Sequence, residues 1–181
     1  MIDEALRGYM SNNQPIIEDS KGKSLACHAI ALAAVIVDDD ERILMLSHPI
    51  RNEDGSWEIV GGGLEREESV LEGTLREVRE EAGEDVQVRA LGTVHVHTFY
   101  RDDTVQFNTG IYYLLAYHGG QVIPGGDMTG SKHRWWTLDE IEREHPKINT
   151  PRQQWILWRA IELYRLWKNS DIDLQPDRKL C

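Results

Sequence analysis

The residues most able to do chemistry lie between Gly62 and Gly83, in the run GGLEREESVLEGTLREVREEAG. Carboxylates crowd it: Glu65, Glu67, Glu68, Glu72, Glu77, Glu80 and Glu81, with Glu84 just beyond, against Arg66, Arg76 and Arg79. Leu71, Leu75, Val78 and Ala82 recur at helical spacing and form one apolar stripe, so the segment reads as a core-facing helix. Glu77, Glu80 and Glu81 then share a different arc, with Gly73 beside them. Carboxylates that close repel one another unless a cation sits among them, and an all-oxygen set suits Mg²⁺ or Mn²⁺ rather than zinc. A charged helix face is ordinarily only solvated. Here Arg76 alone is placed one turn from Glu80, without interspersed lysines, and Gly73 forgoes helix stability where a missing side chain would leave room for a ligand.

The run resembles the Nudix box, G-x5-E-x7-R-E-U-x-E-E-x-G-U, where U is a bulky aliphatic residue. Gly62, Glu68, Arg76, Glu77, Val78, Glu80, Glu81 and Gly83 fill its slots. Glu84 stands where a final aliphatic is usual, with Val86 available to take over its packing. Glu67 replaces a common glycine and Val60 a common proline. These departures touch loop shape and leave every metal carboxylate in place.

The resemblance implies metal-dependent hydrolysis of the diphosphate bond in a nucleoside diphosphate linked to another group. It assigns Glu77, Glu80 and Glu81 as Mg²⁺ ligands, with Mn²⁺ an alternative, and allows the Gly61 carbonyl to join them. Arg76 would orient Glu80, Gly62 would shape the loop, and Glu68 would brace it against the helix start. The general base is a box glutamate or an acid on a downstream loop, with Asp127 first and Asp102 and Asp103 behind it. Ahead of the box, Arg51 and Glu58 loosely resemble the phosphate and sugar contacts of enzymes cleaving ADP-ribose and nucleotide sugars. Tyr100 has a spacing seen in dinucleoside-polyphosphate hydrolases. Three alternatives stay open: a (d)NTP or dinucleoside-polyphosphate pyrophosphohydrolase, a non-catalytic nucleotide-sensing module, and an isomerase branch that needs a cysteine.

Composition agrees with this chemistry. The chain has 181 residues and a net charge of −11. So acidic a protein does not bind a nucleic-acid backbone by counterion release, and it meets a polyphosphate best through divalent metal. Its two cysteines, Cys27 and Cys181, make neither a disulfide framework nor a zinc motif. The acidic N-terminus lacks the form of a signal peptide, and the longest apolar run, residues 29–37, is too short to cross a bilayer. A cytoplasmic enzyme with a small-molecule nucleotide substrate, no nucleic-acid or membrane partner, and room for a homodimer is expected.

The elements that must position the box follow from periodicity. Residues 1–23 read as an N-terminal arm with a short strand near Ile16–Ile17, 24–170 as a single domain, and 171–181 as a tail. Ala29–Val37 reads as a central strand buried on both faces, hairpin-paired to 42–47. Trp57–Val60 delivers the chain to Gly61–Gly63. Strands over 86–98 and 105–117 follow, with a bulge or bend at Gly110. After a glycine-rich loop, 132–136 is the last strand and 138–143 a short helix. Thr150-Pro151-Arg152-Gln153 has the form of a capping box opening a helix to Lys168. That helix is apolar on more than one face, which calls for the sheet and a second contact such as a partner subunit. The fold implied is α/β (α+β), a Nudix-type α/β/α sandwich with a mixed central sheet. His95 and His97 alternate on a strand as partly buried imidazoles. The tryptophans read as core or interface, with Trp57 beside the loop kept open as a stacking surface.

Overall fold

The computed structural model describes residues 14–50, 52–101, 107–171 and 174. Arg51, Asp102 and Asp103 lie outside them.

Alternating apolar residues make the sheet a two-faced wall. On β3 (Ala29–Val37), Ala33, Val35 and Val37 enter one buried cluster and Ala34 and Ile36 the other. On β4 (Ile43–Ser47), Ile43 and Met45 go one way, Leu44 and Leu46 the opposite. This period of two is what a strand covered on both sides requires. The strand order is β10-β5-β4-β3-β8-β7, with β6 also on β3 and β9 also on β4. Here β5 is Trp57–Glu58, β6 Val60–Gly63, β7 Gln87–Tyr100, β8 Phe107–Gly119, β9 Lys132–Trp136 and β10 Ile148–Thr150. The sheet is mixed, since β3 runs parallel to β8 and β10 to β5 while the other pairings are antiparallel.

Helices cover the two faces. The box helix α1 (Val70–Glu77) continues as a π-helical turn, Val78–Ala82, in which the Gly83 N–H reaches the Val78 carbonyl. Leu71, Val78 and Ala82 are buried and Leu75 packs against them, so the predicted stripe faces the sheet. Val86 joins that cluster, filling in for the absent aliphatic at 84. On the other face α3 (Trp155–Trp167) buries Ile156, Leu157, Ala160, Ile161 and Tyr164, with Trp158, Leu163 and Trp167 at the margin. The short helix α2 (Leu138–Glu144) opens on a capping box made by Thr137 and Glu140.

The structure corrects two readings. The capping box at Thr150 does not form, because Thr150 belongs to β10 and its carbonyl accepts the Ile59 N–H at 3.1 Å. The Thr150–Pro151 peptide is cis, and α3 starts later, after Gln154, with no side-chain cap. Gly110 makes no bulge either. It pairs in register with Ala31 and His97, and the register shifts of this ribbon fall nearer its other end, between Gln87 and His95. The strand expected near Ile16–Ile17 exists as β1 (Ile16–Glu18), paired with β2 (Ser24–Ala26) in a hairpin that spans residue 23.

Candidate active site

The box is organised around one guanidinium. Arg76 Nε and Nη2 donate to the two oxygens of Glu68 at 3.1 and 3.0 Å, a bidentate pair of the kind that adds geometric as well as energetic specificity. Nη1 donates to Glu77 Oε1 at 2.8 Å and to Glu80 Oε2 at 2.9 Å, and Nη2 also reaches the Gly63 carbonyl at 2.9 Å. These contacts, above all that with Glu68, hold the Arg76 pKa above its ordinary value despite burial. In return Arg76 draws the Glu68 carboxyl below the usual carboxylate range. Glu68 Oε1 also accepts the Glu65 N–H at 2.7 Å, which ties the loop to the Arg76 guanidinium.

Two carboxylates are sunk into the protein. Glu77 is 8% exposed and Glu81 6%. Burial pushes the Glu77 carboxyl up, more than Arg76 pulls it down. Glu77 lies so close to the loop that a Cβ on Gly62 would come within 2.1 Å of Oε1, so any larger residue there would displace the Glu77 carboxylate. Glu81 Oε2 accepts the Gly61 N–H at 2.9 Å, tying the π-turn to β6. A π-turn inserted in a helix is often found at functional sites, and here it carries Glu80 and Glu81.

Gly73 serves a different purpose from the one its position suggested. A Cβ there would meet Glu68 Oε1 and Leu32 Cδ1, each at 2.6 Å. The missing side chain makes room for the brace and for β3, not for a ligand.

Among the described residues, no three His, Cys, Asp or Glu side chains are grouped closely enough to hold a metal ion as they stand. Arg76 Nη1 instead bridges Glu77 and Glu80. The donor set still fits a hard cation: its oxygens are carboxylate, two of the groups are buried, and the one arginine leaves a net negative charge.

These groups share a cleft of about 730 Å³ with Glu58, Tyr100 and Asp127. Asp127 is exposed on a 3₁₀ turn, Gly126–Met128, whose approach is held to the π-turn by the Gly125 N–H on the Glu81 carbonyl at 3.3 Å. Trp57 does not line this cleft and packs, half-buried, edge-on to Trp136 against the core, 5.4 Å between ring centres. The cleft wall consists of His97, Phe99 and Tyr112, with Asn149, Arg152 and Gln153. Phe99, Tyr112, Asn149, Arg152 and Gln153 escaped the sequence reading. Alternation from His95 through His97 to Phe99 was the available signal for the first.

A family model described as the NUDIX domain matches residues 28–158. The chain belongs to the NUDIX family. A MutT-like protein of Streptomyces ambofaciens is 37% identical over 140 residues, 77% of this chain and 80% of that protein. An 8-oxo-dGDP phosphatase, NUDT18, of Danio rerio is 45% identical over 89 residues, 48% of this chain and 27% of that protein. Among solved structures, an ADP-ribose pyrophosphatase from Streptococcus suis superposes with a TM-score of 0.60 at 23% identity, over 77% of this chain and 93% of that one. A MutT protein from Methanosarcina mazei gives 0.56 at 20% identity, over 77% and 94%. At these identities the superpositions speak for the Nudix fold alone. The chain is a Nudix hydrolase, an enzyme of the pyrophosphohydrolase type. Nudix hydrolases act on small nucleotide substrates and generally depend on divalent metal. No helix among the described residues is long and apolar enough to cross a membrane.

Proposed function

We propose that this Nudix enzyme cleaves the diphosphate bridge of a nucleoside diphosphate joined to a sugar or similar group, giving a nucleoside monophosphate and a phosphorylated product. One observation carries the reading. The buried Glu77 and Glu81 open into the same cleft as Glu58, Tyr100 and Asp127, and its volume, about 730 Å³, exceeds what a phosphate chain alone would need. Glu77, Glu80 and Glu81, with the Gly61 carbonyl, would hold Mg²⁺ or Mn²⁺. When bound, such a cation neutralises phosphate oxygens and lowers the pKa of an attacking water. Arg76 positions Glu77 and Glu80, Glu68 positions Arg76, and Asp127, which lines the same cleft, would accept the proton of the water. Glu58 and Tyr100 contact the substrate, and Arg51, outside the described residues, would meet a phosphate.

A second reading has its own support. The relatives in sequence are called MutT-like, 8-oxo-dGDP phosphatase and, at 37% identity over 60 residues, CTP pyrophosphohydrolase. These names favour a free nucleoside di- or triphosphate. One assay separates the readings: kcat/KM for ADP-ribose, nucleotide sugars, dinucleoside polyphosphates and (d)NTPs with Mg²⁺, then with EDTA. Nucleotide sugars are expected to lead and EDTA to abolish turnover. A (d)NTP or (d)NDP ahead of every sugar nucleotide replaces the first reading with the second, and full turnover in EDTA removes the metal. Asp127→Asn with kcat intact would return the base role to a box glutamate.

A further inference from the structure

Carbonyls at the end of a helix have no partner within it. The π-turn closes with the Gly83 N–H on the Val78 carbonyl, and the carbonyls of Glu80, Glu81 and Ala82 remain. The loop over residues 121–128 comes back to meet them. The Ile123 N–H donates to the Ala82 carbonyl at 2.9 Å and the Gly125 N–H to that of Glu81 at 3.3 Å. Pro124, which has no N–H to offer, falls between the two donors. Both ends of the loop are sunk beneath the same helix, where Val122 and Met128 are buried in one cluster with Val78 and Ala82.

The middle of the loop comes closer still. A Cβ on Gly125 would stand 2.8 Å from the Glu80 carbonyl oxygen. That oxygen belongs to the backbone and cannot turn aside as a side chain does. Any other residue at 125 must therefore lift the loop from the π-turn by several tenths of an ångström. Asp127 comes two residues later, between this contact and the Met128 anchor, and lines the cleft with Glu77, Glu80 and Glu81. The acid on the loop and the acids on the π-turn are thus joined through backbone contacts.

We propose that Gly125 is a positioning residue for Asp127, and that the stitching of this loop to the π-turn sets how far the Asp127 carboxylate stands from Glu80 and Glu81. The inference rests on Asp127 as acceptor of the water's proton, as read above, and adds what places it. A proton acceptor works only within hydrogen-bond reach of the water, about 2.6–3.2 Å. An error of about 1 Å in such a geometry costs on the order of 100-fold in rate, and the smaller retreat that a methyl at 125 imposes costs less.

A double-mutant cycle tests this. G125A is expected to lower kcat about tenfold and to leave KM and the melting temperature near wild type, since what is lost acts in the transition state. D127N alone should lower kcat more. Adding G125A to it should cost nothing further, because the loop then carries no acceptor to misplace, whereas independent effects would add. Additive losses, or a G125A enzyme with wild-type kcat, overturn the proposal. Mn²⁺ supplies a readout that needs no turnover. Its paramagnetic broadening of the Asp127 amide resonance should weaken in G125A while that of Gly61 is unchanged, and equal broadening at Asp127 in both proteins overturns the positioning. If D127N keeps wild-type kcat, the proton-acceptor reading fails, and the Mn²⁺ comparison alone decides the role of Gly125.

Discussion

Five hydrogen bonds converge on Arg76, and they supply the counter-charge for the buried Glu77 and for Glu68. Removing Arg76 leaves Glu68 and Glu77 without their counter-charge in a partly desolvated site. Arg76→Ala is therefore expected to cost about 3–5 kcal/mol, the scale of a broken buried pair, read from urea denaturation. Lysine at 76 should recover only part of it, since an ammonium cannot form the fork that grips Glu68. Glu81 separates stability from chemistry. Glutamine keeps an oxygen to accept the Gly61 N–H, so Glu81→Gln should melt close to the wild type, yet it removes a charged ligand. A loss of about 100-fold in kcat is expected, and retention of more than half the activity would displace Glu81 from the metal site.

At the scale of elements, α1 and α3 are held by different physics. In α1 the alanine that helix propensity favours at position 73 is opposed by packing. Gly73→Ala gains about 1 kcal/mol of propensity but drives a methyl into Glu68 and Leu32, at a cost of about 1–3 kcal/mol for overpacking. Net destabilisation is expected, and a higher melting temperature would show that the brace can yield. In α3, Tyr164 is buried under the sheet and faces Asp39 at 3.4 Å. Burial, with the nearby Asp39 charge, pushes its pKa up to about 12. The folded state thus keeps a proton that the unfolded chain gives up near its ordinary value of 10. Stability from this group is complete below pH 10 and is lost as pH rises towards about 12. Tyr164→Phe should flatten the alkaline limb of a stability–pH curve over that window, and an unchanged limb would assign it to other groups.

For the molecule as a whole, negative charge is concentrated where the cation is proposed to bind. Binding to the native state alone stabilises by mass action, about 2.7 kcal/mol when the ion is at 100 times its Kd. The melting temperature should therefore climb with millimolar Mg²⁺ or Mn²⁺ and fall back on adding EDTA. The rise should vanish in a Glu77→Gln, Glu81→Gln double variant. A melting temperature indifferent to the ion in the wild type would argue against the proposed ligand set.

Local signals determined much of this protein. The unbroken apolar run over residues 29–37 specified a strand covered on both faces, and the Leu71, Leu75, Val78, Ala82 stripe specified the face of α1, because burial imposes those patterns directly on sequence. Fixed spacing from Gly62 to Gly83 identified the family, since each slot answers to a contact within about one helix and one loop. Other features needed the tertiary structure. Thr150 has the sequence of a helix cap, but strand pairing with β5 claims its carbonyl, and no local rule weighs one against the other. Gly73 and Gly110 looked like a ligand gap and a bulge. Their neighbours across the fold, Glu68 and Leu32 for one and Phe99, His97 and Tyr112 for the other, decided their roles. The ring-lined wall of the cleft draws on strands β7 and β8 and on the turn before α3. The rings of β7 and β8 meet through the antiparallel register of those two strands, and the parallel pairing of β3 with β8 sets them on the sheet that also carries Gly61–Gly63.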